Sequence, residues 1–138
     1  MSLVKETEIE IVMACCIIIR DDLFYIQQRL ADDVWAGLWE FPGGRLKKGE
    51  LPIDAACREV LEETEFIVSG LQSFATVVHN YKNYRVTLHA FVSKQQGDCP
   101  VPVLHAASQY KWIPLSELSD FSFPAGHRQL VGRLSVDN

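Results

Sequence analysis

A chain of 138 residues, 48% of them hydrophobic and 22% charged, fits one globular domain with its own hydrophobic core. Its formal net charge of −5 provides no basic surface for a nucleic-acid polymer, so a polyanionic ligand must be small and accompanied by a cation. The longest apolar run, residues 11–19, is too short to cross a membrane and follows acidic residues, so we expect neither a membrane span nor a secretory signal.

The four cysteines show no C-x-x-C spacing. Cys15 and Cys16 are adjacent, and on a strand their side chains would point to opposite faces, which prevents one metal ion from binding both. Cys57 and Cys99 stand alone in the sequence. We therefore expect buried free thiols and a cytoplasmic location, while the oligomeric state is left open.

The first third of the chain predicts two strands and a break. Residues 9–19 are rich in β-branched side chains and indicate a central strand that is buried on both faces, followed after a turn by a partner strand at 23–30. A short apolar patch at 38–41 precedes Pro42-Gly43-Gly44, which predicts a break in regular structure.

The rest of the chain mixes helices and strands. Pro52 suits the first turn of a helix, which we expect at 52–64. The pattern then predicts strands at 71–79 and 84–92 around a turn, a loop at 95–102 and a short strand at 110–113. A helical turn at 115–118 and a terminal helix at 124–134 follow. This order implies an α/β fold with a mixed sheet and helices packed on it, in one domain covering residues 1–138.

Three glutamates of the predicted helix share one face. At about 100° per residue, Glu59, Glu62 and Glu63 fall within roughly 100° of one another. We expect the opposite arc to pack on the sheet through Ile53, Ala56, Cys57, Val60 and Thr64. Arg58 relieves only part of the repulsion, by pairing with Glu62, whereas a divalent cation such as Mg²⁺ would resolve it and would also bind phosphates.

A solvated helix face with ion pairs is the alternative interpretation, and for a generic glutamate-rich helix it is the better one. Here the spacing argues against it. Six fixed positions from Gly44 through Glu50 to Arg58-Glu59 and Glu62-Glu63 match by chance with a frequency of roughly 10⁻⁵ in a chain of this length.

The segment GRLKKGELPIDAACREVLEETEF closely resembles the Nudix box, G-x5-E-x7-R-E-U-x-E-E-x-G-U, where U is aliphatic. Arg29 and the segments WEFPGG, LHA, WIPL and FPA resemble the MutT-like branch of that family. The resemblance implies a Nudix α/β/α sandwich with a mixed sheet and a catalytic loop-helix-loop on one side. The implied ligands of Mg²⁺, or of Mn²⁺, are Gly44 through its carbonyl, Glu59, Glu62 and Glu63.

Two further residues of the box have implied catalytic roles beside Glu62 and Glu63. Arg58 would hold the glutamates in place, and Glu50 would tune the site or act as a base. The general base differs between family members, so we assign none.

Substrate contacts are expected outside the box. Phe41, Tyr81 and Trp35 are candidates for stacking on a base, although core packing is an equally good explanation of Phe41. Arg29 could reach a phosphate or sugar or simply face water, and His127 follows the FPA segment in the region where the branch contacts the base. Basic loop residues that could steer phosphates, or only face solvent, are Arg45, Lys47 and Lys48.

Three positions depart from the family pattern. Glu65 replaces the second glycine of the box, so either the chain is strained there or the helix ends differently. Ala106 stands where the branch often has a supporting carboxylate; His105 beside it is a possible substitute, but a surface role is the better expectation. Gly126 stands where the branch often has an Asn or Asp, which weakens any argument for 8-oxoguanine specificity.

The leading interpretation is a MutT-like pyrophosphohydrolase that converts a normal, damaged or modified nucleoside triphosphate to the monophosphate and pyrophosphate. Alternatives are hydrolysis of another nucleoside diphosphate derivative, and a catalytically silent module that binds a nucleotide. Intact Arg58, Glu59, Glu62 and Glu63 argue against the silent module, because clustered carboxylates are costly without a purpose. We expect a small nucleotide as the partner, with no nucleic-acid polymer and no membrane.

Overall fold

The computed structural model describes residues 9–32 and 35–137. In this part of the chain the strands are β1 (Ile9–Arg20), β2 (Leu23–Arg29), β3 (Trp39–Glu40), β4 (Gly43–Arg45), β5 (Gln72–Asn80), β6 (Tyr84–Gln95) and β7 (Ala107–Pro114). The helices are α1 (Pro52–Thr64), α2 (Ala125–Asp137) and a short 3-10 helix (Leu115–Asp120). None of the described helices is long and apolar enough to span a membrane.

The strands form one mixed sheet, as the sequence predicts. β1 and β6 pair in parallel along their whole length, and the other pairs are antiparallel. The strand order is β3-β2-β1-β6-β5, with β4 also pairing with β1 and β7 with β2. The prediction that β2 is the partner of β1 is only partly correct, because they pair only near their connecting turn and β2 pairs along its length with β7.

A hydrophobic core lies on each face of the sheet. Successive side chains of β1 point to opposite faces, so Cys15 and Cys16 belong to different cores, as expected. One core packs under α1 and includes Ala14, Cys16, Ile18, Ala55, Ala56 and Val60. The other packs under α2 and includes Cys15, Ile17, Ile19, Leu130, Val131 and Leu134. The sheet is therefore covered by helices on both faces, which is the expected α/β/α sandwich.

Two strand predictions need correction. β1 is not buried throughout, because its first residues extend beyond β4, which pairs with β1 only from Met13 onward; Ile9 is 60% exposed. The Pro42-Gly43-Gly44 segment is not a simple break, since Gly43 starts β4. A Cβ atom at Gly43 would overlap the carbonyl oxygen of Ala14, so glycine is what lets this strand approach β1.

The predicted faces of α1 are also partly wrong. Ile53 is 36% exposed, whereas Ala55, which was not expected in the core, is fully buried. Glu63 lies on the buried face between the apolar positions rather than opposite them, with only 8% of its surface exposed. The small side chains of Ala55 and Ala56 let α1 pack close to the sheet. On that face the Glu63 carboxylate accepts a hydrogen bond from a polar side chain of the sheet.

Candidate active site

Helix α1 begins and ends where the sequence predicts. Leu51 before Pro52 is extended, and Glu65 after Thr64 has left-handed backbone angles, φ 66° and ψ 12°. The Glu65 N–H donates to the Leu61 carbonyl at 3.0 Å, which closes the last turn. Glu65 therefore keeps the geometry of the family glycine, and the aromatic Phe66 enters the core with 8% of its surface exposed.

The loop before β7 holds the end of α1. The backbone N–H groups of Val103 and His105 donate to the carbonyls of Thr64 and Glu63 at 3.0 and 3.1 Å, which satisfies acceptors that a helix end leaves open. The His105 imidazole lies 2.7 Å from the Glu65 carboxylate, and both side chains are half exposed. His105 thus binds the helix end and lies at the surface, as expected.

Arg58 organises the acidic residues through hydrogen bonds. Its Nε and Nη2 donate to the two oxygens of Glu50 at 2.8 and 2.9 Å. Its Nη1 donates to Glu59 at 3.2 Å and to Glu62 at 3.1 Å. The expected pairing of Arg58 with Glu62 is therefore present, but the stronger, two-pronged contact is with Glu50.

The environment of Glu50 keeps this carboxylate ionised. Hydrogen bonds from Arg58, and then from the Lys47 backbone N–H at 2.8 Å, lower the pKa of Glu50 to about 2. A carboxylate with a pKa this low is a weak proton acceptor near pH 7. Its geometry supports a role in holding Arg58 rather than that of a general base.

Beside this network, Glu59, Glu62, Glu63 and Glu40 form what we call the carboxylate end of the site. Glu63 and Glu40 are both buried, and Gln27 donates one hydrogen bond to each, at 2.9 and 3.3 Å. Burial, a hydrogen bond with Glu59 and the charge of Glu40 raise the pKa of Glu63 well above its usual range. The Glu62 side chain is half exposed and pairs with Arg58.

Sequence reasoning missed Gln27 and Glu40. Both are inward-facing polar residues in strands, and in β2 the alternation places Gln27 on the same face as the buried Tyr25. Their burial next to each other depends on the pairing of β2 with β3, so the sequence alone offered no signal for it. Glu40 also forms an ion pair with Arg29 at 2.6 Å, so Arg29 is not a solvent-facing cation at the end of the strand.

The residues of the carboxylate end fit a divalent cation. Gly44 has no side chain where Glu59 lies, and a Cβ atom there would overlap the Glu59 carboxylate. Glu59 and Glu63 lie close together, while Arg58 is already paired with Glu50. Across residues 9–32 and 35–137, no three carboxylate, imidazole or thiol groups converge as a finished ligand set. Hard oxygen donors with unbalanced negative charge nevertheless match the ligand chemistry of Mg²⁺ or Mn²⁺.

A cavity of about 450 Å³ meets the carboxylate end at Arg29, which lines the cavity and pairs with Glu40, and we call it the aromatic cavity. Its walls are Ile11, Met13, Arg29, Trp35, Arg45, Tyr81, Tyr84, Val86, Leu88, Pro124, Gly126 and His127. The Tyr81 ring stacks on Tyr84 with centroids 4.7 Å apart and lies 6.1 Å from the ring of Trp35. Its size and its apolar and aromatic walls suit a small organic ligand.

His127 and Phe41 have different positions in this region. The backbone N–H of Phe41 donates to Nδ1 of His127 at 3.2 Å, and the two rings stack at 5.7 Å. Burial and the charge of Arg29 lower the pKa of His127 to about 4, so the ring is neutral near pH 7 and carries its proton on Nε2. Phe41 is fully buried against Phe123 and does not line the cavity, so core packing explains it.

The family model described as NUDIX domain matches residues 14–133. The chain belongs to the Nudix family. An 8-oxo-dGTP diphosphatase from Buchnera aphidicola (strain APS) is 31% identical over 101 residues, covering 73% of this chain and 80% of that protein. The 8-oxo-dGTP diphosphatase of Escherichia coli K12 is 27% identical over 111 residues, covering 80% and 84%.

The fold of the chain is that of solved Nudix proteins. A MutT protein from Methanosarcina mazei Go1 superposes with a TM-score of 0.84 at 21% identity, over 95% of this chain and 96% of that protein. These relatives place the chain in the MutT-like branch, among hydrolases that act on phosphoric anhydride bonds. Nudix hydrolases generally use divalent metals, in agreement with the donor chemistry of the carboxylate end.

Proposed function

We propose that this Nudix protein is a Mg²⁺-dependent pyrophosphohydrolase that converts a nucleoside triphosphate, normal or chemically modified, to the monophosphate and pyrophosphate. The observation that carries the proposal is the buried Glu63 carboxylate beside the partly buried Glu59, whose combined negative charge a divalent cation would balance, next to the aromatic cavity, which suits a base. The names of the relatives, which act on a modified nucleoside triphosphate, agree with it.

In this proposal Glu59, Glu62 and Glu63 hold Mg²⁺, or Mn²⁺, together with the Gly44 carbonyl. When bound, the ion neutralises phosphate charge and makes phosphorus more electrophilic. Glu62 must turn away from Arg58 to take part, and its half-exposed side chain leaves room for that movement. Arg58 would remain fixed by Glu50 and keep its hydrogen bond to Glu59.

The aromatic cavity receives the base in this proposal. Tyr81 and Trp35 offer ring faces on which any base can stack. His127 offers its Nε2–H, a donor that suits a carbonyl acceptor on the base, because its Nδ1 already accepts from Phe41. Arg29 and Arg45 lie in the cavity wall, where their charges favour the phosphates or sugar.

The reaction consumes one water molecule. Its oxygen forms a bond to an internal phosphorus, the anhydride bond on the other side of that phosphorus breaks, and the electron pair leaves with the departing phosphate oxygen. The water proton is released to a base or to solvent. Glu50 is a poor candidate for that base because its hydrogen bonds with Arg58 and Lys47 lower its pKa to about 2.

We further infer a small nucleotide as the ligand, with no nucleic-acid polymer or membrane involved, and a cytoplasmic location. The acidic net charge of −5 disfavours long polyanions. The free thiols, two of them buried, suit a reducing compartment.

The test is a panel of normal and oxidised nucleoside triphosphates, nucleotide sugars and dinucleoside polyphosphates, with and without Mg²⁺. We expect Mg²⁺-dependent release of pyrophosphate and a monophosphate from at least one triphosphate. Orthophosphate and a nucleoside diphosphate as main products would contradict the proposal. Nucleotide binding without any turnover would instead favour the silent module.

A further inference from the structure

Gln27 connects the two parts of the site through its side-chain amide. It lies fully buried in the middle of β2, and its Nε2 donates to Glu63 Oε1 at 2.9 Å and to Glu40 Oε2 at 3.3 Å. Its Oε1 accepts a hydrogen bond from the Tyr25 hydroxyl at 3.0 Å. One amide thus joins a carboxylate of α1 to a carboxylate of β3.

The orientation of this amide follows from its neighbours. An amide has two N–H donors on one side and a carbonyl acceptor on the other. The reverse orientation would place the carbonyl oxygen of Gln27 against two carboxylates and leave the Tyr25 hydroxyl facing N–H groups. Only the observed orientation gives every polar group a partner of opposite character.

Each of the two carboxylates that Gln27 contacts has a further partner in the site. Glu40 receives Gln27 on Oε2 and Arg29 on Oε1, and Arg29 lines the aromatic cavity. Glu63 receives Gln27 on Oε1 and also shares a hydrogen bond with Glu59, the neighbouring carboxylate of α1. If Gln27 served only to fill the core, an apolar side chain of the same size would avoid burying polar atoms at all.

We propose that Gln27 is a positioning residue that fixes Glu63 for metal binding and Glu40 for its contact with Arg29. This inference rests on the proposed function, in which Glu63 is a metal ligand. Groups that hydrogen-bond to metal ligands commonly change metal affinity or activity by about 10- to 100-fold when they are removed. The amide would act through these two carboxylates and would not touch the nucleotide.

The test compares Gln27→Met with Gln28→Met. Methionine keeps the length of the side chain and removes the amide. Gln28 is the next residue of β2, points to the other face and donates to the Gly37 carbonyl, away from the carboxylates. Mn²⁺ affinity is measured by calorimetry without nucleotide, together with kcat, KM and the unfolding midpoint in EDTA.

We expect Gln27→Met to weaken Mn²⁺ binding at least about 10-fold and to lower kcat, with KM for the nucleotide changed much less. Gln28→Met should bind Mn²⁺ like the wild type. A lower unfolding midpoint with unchanged Mn²⁺ affinity and kcat would reduce Gln27 to a structural residue and overturn the proposal.

Tyr25→Phe guards against misfolding of the first variant. It removes only the hydroxyl that orients Gln27 and keeps the ring contacts to Phe66 and Trp112. We expect about 2- to 10-fold weaker Mn²⁺ binding, the scale of one hydrogen bond, and unchanged affinity would count against the proposal. If the wild type itself bound no Mn²⁺, the proposed function would fail and this role with it. Tight wild-type binding with equal binding by Gln27→Met would refute the positioning role alone.

Discussion

At the carboxylate end, hydrogen bonds hold almost every polar side chain, whereas in the aromatic cavity rings packed on rings position the groups. Arg58 alone donates to Glu50, Glu59 and Glu62, and Gln27 joins Glu63 to Glu40. In the cavity the ring of Tyr81 packs between the rings of Trp35 and Tyr84. Directional bonds fix charge, which suits a reaction shared by a whole family, while ring packing sets a shape that can differ between members.

Because of this difference, we expect substitutions in the two regions to change different kinetic constants. In the proposed function the charges at the carboxylate end stabilise the transition state, so changes there should reduce kcat. In the same proposal the ring contacts of the aromatic cavity bind the base equally in the ground and transition states, so changes there should mainly raise KM.

The largest effect is expected at the carboxylate end. Glu62→Gln and Glu63→Gln should each lower kcat at least 100-fold at saturating Mg²⁺, the scale expected for loss of an electrostatic catalytic group. Steady-state kinetics would check this, with the exposed Glu117→Gln, on the 3-10 helix, as a matched control. Near-wild-type turnover in both variants would remove the carboxylate end from the mechanism.

A 10- to 100-fold rise in KM is expected for Tyr81→Ala, since stacking on one base contributes about 1–3 kcal/mol. Tyr81→Phe keeps the ring and should leave KM nearly unchanged. If Tyr81→Ala lowered kcat instead and left KM unchanged, the division between the two regions would be incorrect.

A smaller effect is expected at His127. His127→Phe preserves the stacking on Phe41 but removes the Nε2–H and the Nδ1 acceptor of the Phe41 N–H, so KM should rise at least about 3- to 10-fold, the value of one hydrogen bond. Because the pKa of His127 is lowered to about 4, KM of the wild type should not change through titration of this residue between pH 5.5 and 8. A rise in KM as pH falls through 6.5 that is absent in His127→Phe would show a titrating imidazole.

The smallest effect concerns the end of α1. Glu65 has left-handed angles, which cost a non-glycine residue about 1–2 kcal/mol, so Glu65→Gly should stabilise the fold by up to about 1 kcal/mol. The lost contact with His105 is exposed and offsets only part of this gain. Glu65→Ala keeps the strain and loses the same contact, so it should unfold at lower denaturant than Glu65→Gly. The reverse order in metal-free unfolding would show that the strain is negligible.

The sequence was informative where function depends on spacing along one helix. Helical periodicity brings Arg58 to Glu62, and the box spacing brings Glu59 beside Glu63. It was less informative where partners come from distant strands. The burial of Glu63 depends on Gln27 and Glu40, which follow from how β2 and β3 pair and not from any local pattern.

The same limit applies to the recognition residues. Phe41 and Tyr81 are both aromatic, and only the packing of α2 against the sheet shows that Phe41 is buried while Tyr81 lines the cavity. The box points to position 65 as the helix end but left the backbone geometry of Glu65 open, and only the structure shows that it is left-handed. The loop contacts from Val103 and His105 also required the tertiary structure.

The most direct test of the account is the pH dependence of unfolding in EDTA for the wild type and Glu63→Gln. The raised pKa of Glu63 means that its favourable contribution is complete below the unfolded-state pKa, about 4.3, and is lost as pH rises towards the folded-state pKa. Between pH 5 and 8.5 the wild type should therefore lose stability relative to Glu63→Gln, by up to about 1.4 kcal/mol per pH unit.

Saturating Mg²⁺ should remove this difference by binding the ionised carboxylates of the wild type. Parallel pH profiles in EDTA, or equal stabilisation of both proteins by Mg²⁺, would contradict the claim that the carboxylate end needs a cation.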